Sequence, residues 1–187
     1  MNNTINAYIT DLDGTLCDTR LANTVAYEQA FNDASIEFSR ELYDECFGLR
    51  FDEMMDKLAA NINMSQRKLV QERKRHHYAN SLDLIKLNSG LLELLKSVKA
   101  TGKLVGLATT AQSANAKIVL SHFFIEDLFD EIVYGDEVTK GKPNPECYIT
   151  IMKKLNAIPS ECLIFEDTDF GIEAAKSSGA NYIKVVL

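Results

Sequence analysis

Apolar positions follow two patterns along this chain. Short apolar runs of strand length lie at 6–10, 104–108, 132–134, 162–165 and 182–186. From residue 89 onward these runs alternate with segments whose apolar residues recur at helical spacing. Leu91, Leu92, Leu95 and Val98 share one helical face, Ser89 precedes them as a cap, and Gly102 stops the helix. Asn144 reads as an N-cap with Pro145 at the first helical position, and Gly179 ends a helix that begins near Phe170. Strand and helix alternating in this way predict an α/β fold, a Rossmann-like doubly wound parallel sheet.

The stretch from about Arg20 to Leu87 is different: it holds no convincing strand. Its apolar residues keep helical spacing, as in Val25, Ala26 and Ala30, or Met54, Met55, Leu58 and Ala59. The expected division is therefore a core of residues 1–18 and 88–187 with an inserted α-helical subdomain over 19–87. There are no internal repeats or low-complexity tracts.

Composition narrows the function. With 187 residues, 46% of them hydrophobic, the chain can bury a sizeable core. A net charge of −7 disfavours a binder of nucleic acid, whose affinity comes from Lys and Arg neutralising phosphates. The basic cluster from Arg67 to His77 reads as a solvated helix face interleaved with Leu69 and Val70, and His122 as a packed helix-end residue. Met1-Asn2-Asn3-Thr4 does not begin a leader, and no run is long enough to span a bilayer, so a soluble, unprocessed protein is expected. Cys17, Cys46, Cys147 and Cys162 lack metal-ligand spacing, which favours reduced thiols in a cytoplasm, with Cys17 a buried inert thiol. A small metabolite is the expected partner, bound by a monomer or weak homodimer.

The chemistry gathers where apolar runs end. The first run leads into Asp11-Leu12-Asp13-Gly14-Thr15-Leu16. Residues two apart on an extended backbone point the same way, so both carboxylates arrive together. They repel by about 4 kcal/mol at roughly 4 Å in a medium of effective dielectric about 20, and so call for a cation, a proton or both. The second run ends in Thr109 and Thr110, hydroxyls able to hold an anionic oxygen; the third leads to Gly141-Lys142-Pro143, and the fourth to Glu166-Asp167-Thr168. In an open parallel sheet the carboxyl ends of the strands bind the ligand. Carboxylates holding a divalent ion, with a lysine and hydroxyls, suit a phosphoryl group, and Mg²⁺ fits best because it takes oxygen ligands and few protein groups.

Taken in order, Asp11 to Leu16, a strand ending in Thr109, Gly141-Lys142-Pro143-Asn144-Pro145, and Phe165-Glu166-Asp167-Thr168-Asp169-Phe170-Gly171-Ile172-Glu173-Ala174-Ala175 resemble the haloacid dehalogenase superfamily. The likeness runs essentially end to end, and the helical insertion resembles the cap of its β-phosphoglucomutase and phosphoglycolate phosphatase branch. The resemblance implies that Asp11 is the nucleophile and forms an aspartyl-phosphate, and that Asp13 protonates the leaving oxygen and then activates water. It implies that Thr109 and Lys142 hold phosphoryl oxygens, and that Mg²⁺ is bound by Asp11, the main-chain carbonyl of Asp13 and Asp167, with Glu166 in support. Lys142-Pro143 is a candidate cis bond. Cap closure would exclude water, and Arg50 and Arg20 are the candidate substrate-selecting side chains.

These features predict a Mg²⁺-dependent phosphatase acting on a small soluble phosphomonoester, a sugar phosphate or phosphoglycolate-like molecule. The alternatives are a phosphomutase and a silent phosphate- and metal-binding protein. Mutases of the branch carry a histidine early in the cap where this chain has Asn23, which argues for hydrolysis, and Asp13 argues against dehalogenation. The chain ends at Leu187, directly after the last predicted strand.

Overall fold

The computed structural model describes residues 4–187, so the leader expectation for Met1-Asn2-Asn3 lies outside the described residues. In chain order the elements are β1 (Ala7–Thr10), β2 (Cys17–Asp18), α1 (Arg20–Asp33), α2 (Arg40–Cys46), α3 (Phe51–Leu58) and α4 (Met64–Ala79). They continue with β3 (Lys86–Leu87), α5 (Ser89–Ala100), β4 (Leu104–Ala108), α6 (Ser113–His122) and β5 (Glu131–Val133), then α7 (Glu146–Lys154), β6 (Cys162–Glu166), α8 (Asp169–Ser177) and β7 (Asn181–Lys184). Short 3-10 turns punctuate the connections. Among the described residues no helix is long and apolar enough to cross a membrane.

The chain divides into two compact units, one of residues up to Asp18 with Leu87–Leu187, the other of Thr19–Lys86. The larger carries the doubly wound parallel sheet, ordered β5-β4-β1-β6-β7. Its centre is β1, with Ala7 level with Leu104 on one side and Cys162 on the other, and Thr10 level with Leu107 and Phe165. That register makes three strands end at nearly the same height. Strand order reverses around β1, and ligands of open α/β sheets bind at such a point. One face of the sheet is closed by α7 and α8, which bury Cys147, Tyr148, Ile151, Met152, Ala174 and Ala175 against Ile9, Ala108 and Ile164.

Several boundaries move by a residue or two. The cap of α5 is Asn88, whose side chain accepts from the Leu91 N–H at 3.1 Å, and Ser89 is already helical. Asn88 is fixed there because its own amide donates to the Thr15 carbonyl at 3.1 Å. Pro145, not Asn144, stands at the cap of α7, although Asn144 Oδ1 still accepts from the Glu146 N–H at 3.1 Å. β2 and β3 form a two-stranded sheet, so Lys86–Leu87 corrects the reading of that stretch as free of strand.

The smaller unit is a helical bundle. Phe31, Tyr43, Met54, Met55 and Val70 form its core, with Phe31 against Phe38 at 5.2 Å between ring centres. Asn63 starts α4 through a capping box with Gln66, each side chain bonding the other's main chain. The basic run on α4 is mostly a solvated face, with Arg67 paired to Asp56 at 2.6 Å and His77 to Asp33 at 2.8 Å. Lys74 is the correction: it is buried, its Nζ 3.9 Å from the ring centre of Tyr78. His122 ends α6 with its ring 4.8 Å from that of Phe123, and is exposed rather than packed away.

Candidate active site

The residue after β1 is Asp11, anchored by its own N–H to the Phe165 carbonyl at 3.0 Å. Its carbonyl accepts from the Thr10 hydroxyl at 2.7 Å. The neighbouring strands deliver Thr109 and Glu166, and the loop after β5 delivers Lys142 through a cis Lys142-Pro143 bond, as the resemblance suggested. Asp11 is 5% exposed, Lys142 4% and Glu166 1%, so the three charges meet out of water.

The lysine stands between the two carboxylates. Lys142 Nζ lies 2.6 Å from Asp11 Oδ1 and also donates to Glu166 Oε1. Beside Lys142, three further donors hold Glu166: Tyr148 OH donates to Oε1 at 3.0 Å, and the Thr168 N–H and hydroxyl donate to Oε2 at 3.0 and 3.2 Å. Asp167 turns the other way and accepts from the Thr15 hydroxyl at 2.8 Å. Thr109 Oγ1 accepts from the Ala111 N–H at 3.0 Å, bending the loop that carries Thr110.

Two carboxylates share one ammonium, and the protonation balance reflects it. Burial alone would depress Lys142, but Asp11 and Glu166 outweigh it and hold the ammonium well above its usual range. Burial works against ionised Glu166 too, yet the Lys142 charge and the hydrogen bonds from Lys142, Thr168 and Tyr148 keep it below the usual carboxylate range. Asp11 comes off worse. Burial pushes it well up, Lys142 offsets this only in part, and the negative charges of Glu166, Asp167 and Asp13 add to the rise. Asp167 is raised to about 6, first by burial, against the Thr15 hydrogen bond. The Cys17 thiol is buried and held protonated by desolvation and by Asp13 and Asp11, as its inert reading requires.

A site with raised Asp11 and Asp167 is short of positive charge, and hard oxygen donors short of charge fit Mg²⁺. Among the described residues no three His, Cys, Asp or Glu side chains converge as a metal cluster. That is compatible with Mg²⁺, which is usually held by one or two carboxylates, substrate phosphate and water rather than by a closed protein cage.

The structure therefore brings Asp11, Thr109, Lys142 and Glu166 to one strand edge, with Asp13 and Asp167 close enough to raise the Asp11 carboxyl. Thr110 follows Thr109 in the same loop. Arg20 and Arg50 belong to the smaller unit. There Arg20 pairs with Asp44 at 3.2 Å and lies 4.1 Å from the Phe47 ring centre, while Arg50 precedes α3 with its N–H donating to Glu53 Oε2 at 3.3 Å. Asn23, also there, donates to Thr19 Oγ1 at 3.1 Å.

Sequence reasoning missed the supports. Thr15 holds Asp167, Thr168 and Tyr148 hold Glu166, and two glycines make room for both carboxylates. Gly14 has φ +92°, and a Cβ there would lie 2.2 Å from Asp167 Oδ2; one on Gly171 would lie 1.9 Å from the Glu166 carboxylate. Both glycines and both threonines stand inside the quoted motifs, where they could have been found. Tyr148 gave no signal, because it falls on the apolar face of α7.

A family model described as haloacid dehalogenase-like hydrolase matches residues 8–185. The phosphorylated carbohydrates phosphatase of Thermotoga maritima is 32% identical over 182 residues, which cover 95% of this chain and 83% of that protein. The β-phosphoglucomutase of Bacillus subtilis is 28% identical over 182 residues, 92% of this chain and 80% of its own. The crystal structure of a hydrolase from Pseudomonas syringae has a TM-score of 0.86 at 26% identity, covering 96% of this chain and 83% of that one.

Proposed function

Because the chain belongs to the haloacid dehalogenase-like hydrolases, we propose that it is a Mg²⁺-dependent phosphatase that hydrolyses a small soluble phosphomonoester through an aspartyl-phosphate on Asp11. The observation that carries this reading is the buried Asp11–Lys142–Glu166 arrangement at the carboxyl edge of the sheet, with Thr109 beside it. An anionic nucleophile can approach a phosphate dianion only where positive charge has been assembled.

In this mechanism Asp11 attacks phosphorus as the bond to the ester oxygen breaks, and Asp13 gives its proton to that departing oxygen. Asp13 then takes a proton from water, whose oxygen attacks phosphorus and releases Asp11 and inorganic phosphate. Lys142, Thr109 and Thr110 bind the phosphoryl oxygens. Asp11, the Asp13 carbonyl and Asp167 would hold Mg²⁺, with Glu166 in support, and the ion would neutralise charge on the phosphoryl group.

The substrate class is supported by the phosphatase named among the relatives, whose substrates are phosphorylated carbohydrates. Arg50 and Arg20 are the side chains proposed to select within that class. Asn23, where the mutases carry histidine, favours release of phosphate to water over its return to a second hydroxyl. Four buried free thiols suit a reducing cytoplasm.

The test is inorganic phosphate release from a panel of phosphomonoesters with and without Mg²⁺, run beside Asp11→Asn. Wild type is expected to release stoichiometric phosphate only with the metal, and the variant to lose on the order of 10⁴-fold or more in kcat. Activity retained in Asp11→Asn overturns the nucleophile assignment, and an isomer formed without stoichiometric phosphate turns the reading to a mutase.

A further inference from the structure

The place of the Lys142 ammonium depends on one helix. α7 begins at Glu146, and two side chains from its start reach in different directions. The Glu146 carboxylate accepts from the Thr139 N–H at 2.8 Å, the Thr139 hydroxyl at 2.8 Å and the Lys140 N–H at 2.9 Å. The main chain entering Gly141-Lys142 is thereby tied to the helix. The loop is closed on its other side by the Asn144 N–H, which donates to the Gly141 carbonyl at 2.9 Å.

Two residues along, about 200° around the helix, Tyr148 faces the sheet. Its hydroxyl donates to Glu166 Oε1, the oxygen that also receives Lys142, and its ring centre is 4.9 Å from Lys142 Nζ. Tyr148 is fully buried, so its hydroxyl must be bonded to be tolerated, and the bond it makes fixes the carboxylate that aims the lysine. A lysine side chain is long and loses rotamer freedom on being fixed; a partner already locked in place removes that cost before a ligand arrives.

We propose that Glu146 and Tyr148 are positioning residues for Lys142, Glu146 fixing the main chain of its loop and Tyr148 fixing the Glu166 carboxylate that receives its ammonium. The consequence for turnover rests on the phosphatase reading, in which Lys142 binds the phosphoryl group; the positioning itself does not. Neither side chain touches substrate in this scheme, and both act through Lys142.

A double-mutant cycle tests this, with inorganic phosphate in the presence of Mg²⁺ as the titrated probe. Tyr148→Phe, which keeps the ring, should weaken phosphate binding about fivefold, the scale of one hydrogen bond. In a Lys142→Met background it should change nothing further. Glu146→Ala should behave alike, with Glu146→Gln, which keeps one acceptor oxygen, between it and wild type. Equal losses in both backgrounds, or no loss in wild type, overturn the proposal. Should wild type neither bind phosphate nor turn over any ester, the phosphatase reading fails. The ¹H–¹⁵N signal of the Lys142 ammonium then decides the positioning, as it also does should Lys142→Met not fold. That signal is expected to shift in Tyr148→Phe and Glu146→Ala, and an unmoved signal overturns the proposal.

Discussion

Each unit of this protein buries a lysine, and the company each keeps is different. In the larger unit Lys142 stands between Asp11 and Glu166, one ammonium against two carboxylates. In the smaller unit Lys74 lies over aromatic rings, 3.9 Å from the centre of Tyr78 and 5.2 Å from that of Tyr27. A ring face attracts an ammonium without gaining or losing a proton. A carboxylate pair does not stay inert: the share of charge it receives sets which member keeps its proton, and here Asp11 is left with the raised value. The same burial problem therefore brings a lysine to aromatic rings in one place and to two ionisable carboxylates in the other.

The largest expected effect breaks the first arrangement. Lys142→Met removes the cation and leaves the Asp11 and Glu166 carboxylates buried without the ammonium they share, a loss of about 3–5 kcal/mol in urea unfolding at pH 7. A variant as stable as wild type would mean that the two carboxylates take up protons without strain, and that the ammonium is not what holds this edge of the sheet together. In the smaller unit, Tyr78→Leu takes away a buried ring and the face beneath Lys74, for about 2 kcal/mol. If that variant unfolds as readily as Lys142→Met, the contrast between the two lysines is wrong.

The two regions also differ in how much of them could be read from residues alone. Asp11, Thr109, Glu166 and Asp167 follow apolar runs directly, so position in the sequence and position at the sheet edge coincide. Lys142 is farther from its strand, but the Gly-Lys-Pro turn marked it. What could not be read are contacts between distant residues: Thr15 bonds Asp167 across 152 positions, and no local pattern encodes such a meeting. Tyr148 was hidden because helical periodicity places it with Cys147, Ile151 and Met152 on a core face, where a tyrosine looks like filler. Lys74 was hidden by its neighbours, since a run of basic residues reads as solvated. Yet Val70, Lys74 and Tyr78 are spaced four apart and share one buried stripe of α4, so counting by fours would have found it. Helix caps slipped by one because Asn88 and Ser89, or Asn144 and Pro145, are both plausible in composition. Only the hydrogen bonds that Asn88 makes to Thr15 and Leu91 decide between the first pair.

The smallest expected effect sharpens the contrast, because it asks whether the charge imbalance of the larger unit is filled by a metal. Burial raises Asp167 to about 6 in the folded protein. Its unfolded value is about 3.9, so the advantage of the protonated form is complete below that value and is lost as pH rises through about 6. Asp11 shifts in the same direction. A divalent ion held by these oxygens competes with their protons, and it gains most where the protons have left. Thermal unfolding with Mg²⁺ against EDTA, at matched ionic strength, should therefore show a stabilisation larger at pH 7 than at pH 5 by about 1 kcal/mol. Asp167→Asn should lose that difference and Tyr78→Leu should keep it, because Tyr78 belongs to the smaller unit and is not among the groups proposed to hold the ion. An equal gain at both pH values would place the ion away from Asp11 and Asp167, and with it the chemistry assigned to that edge of the sheet.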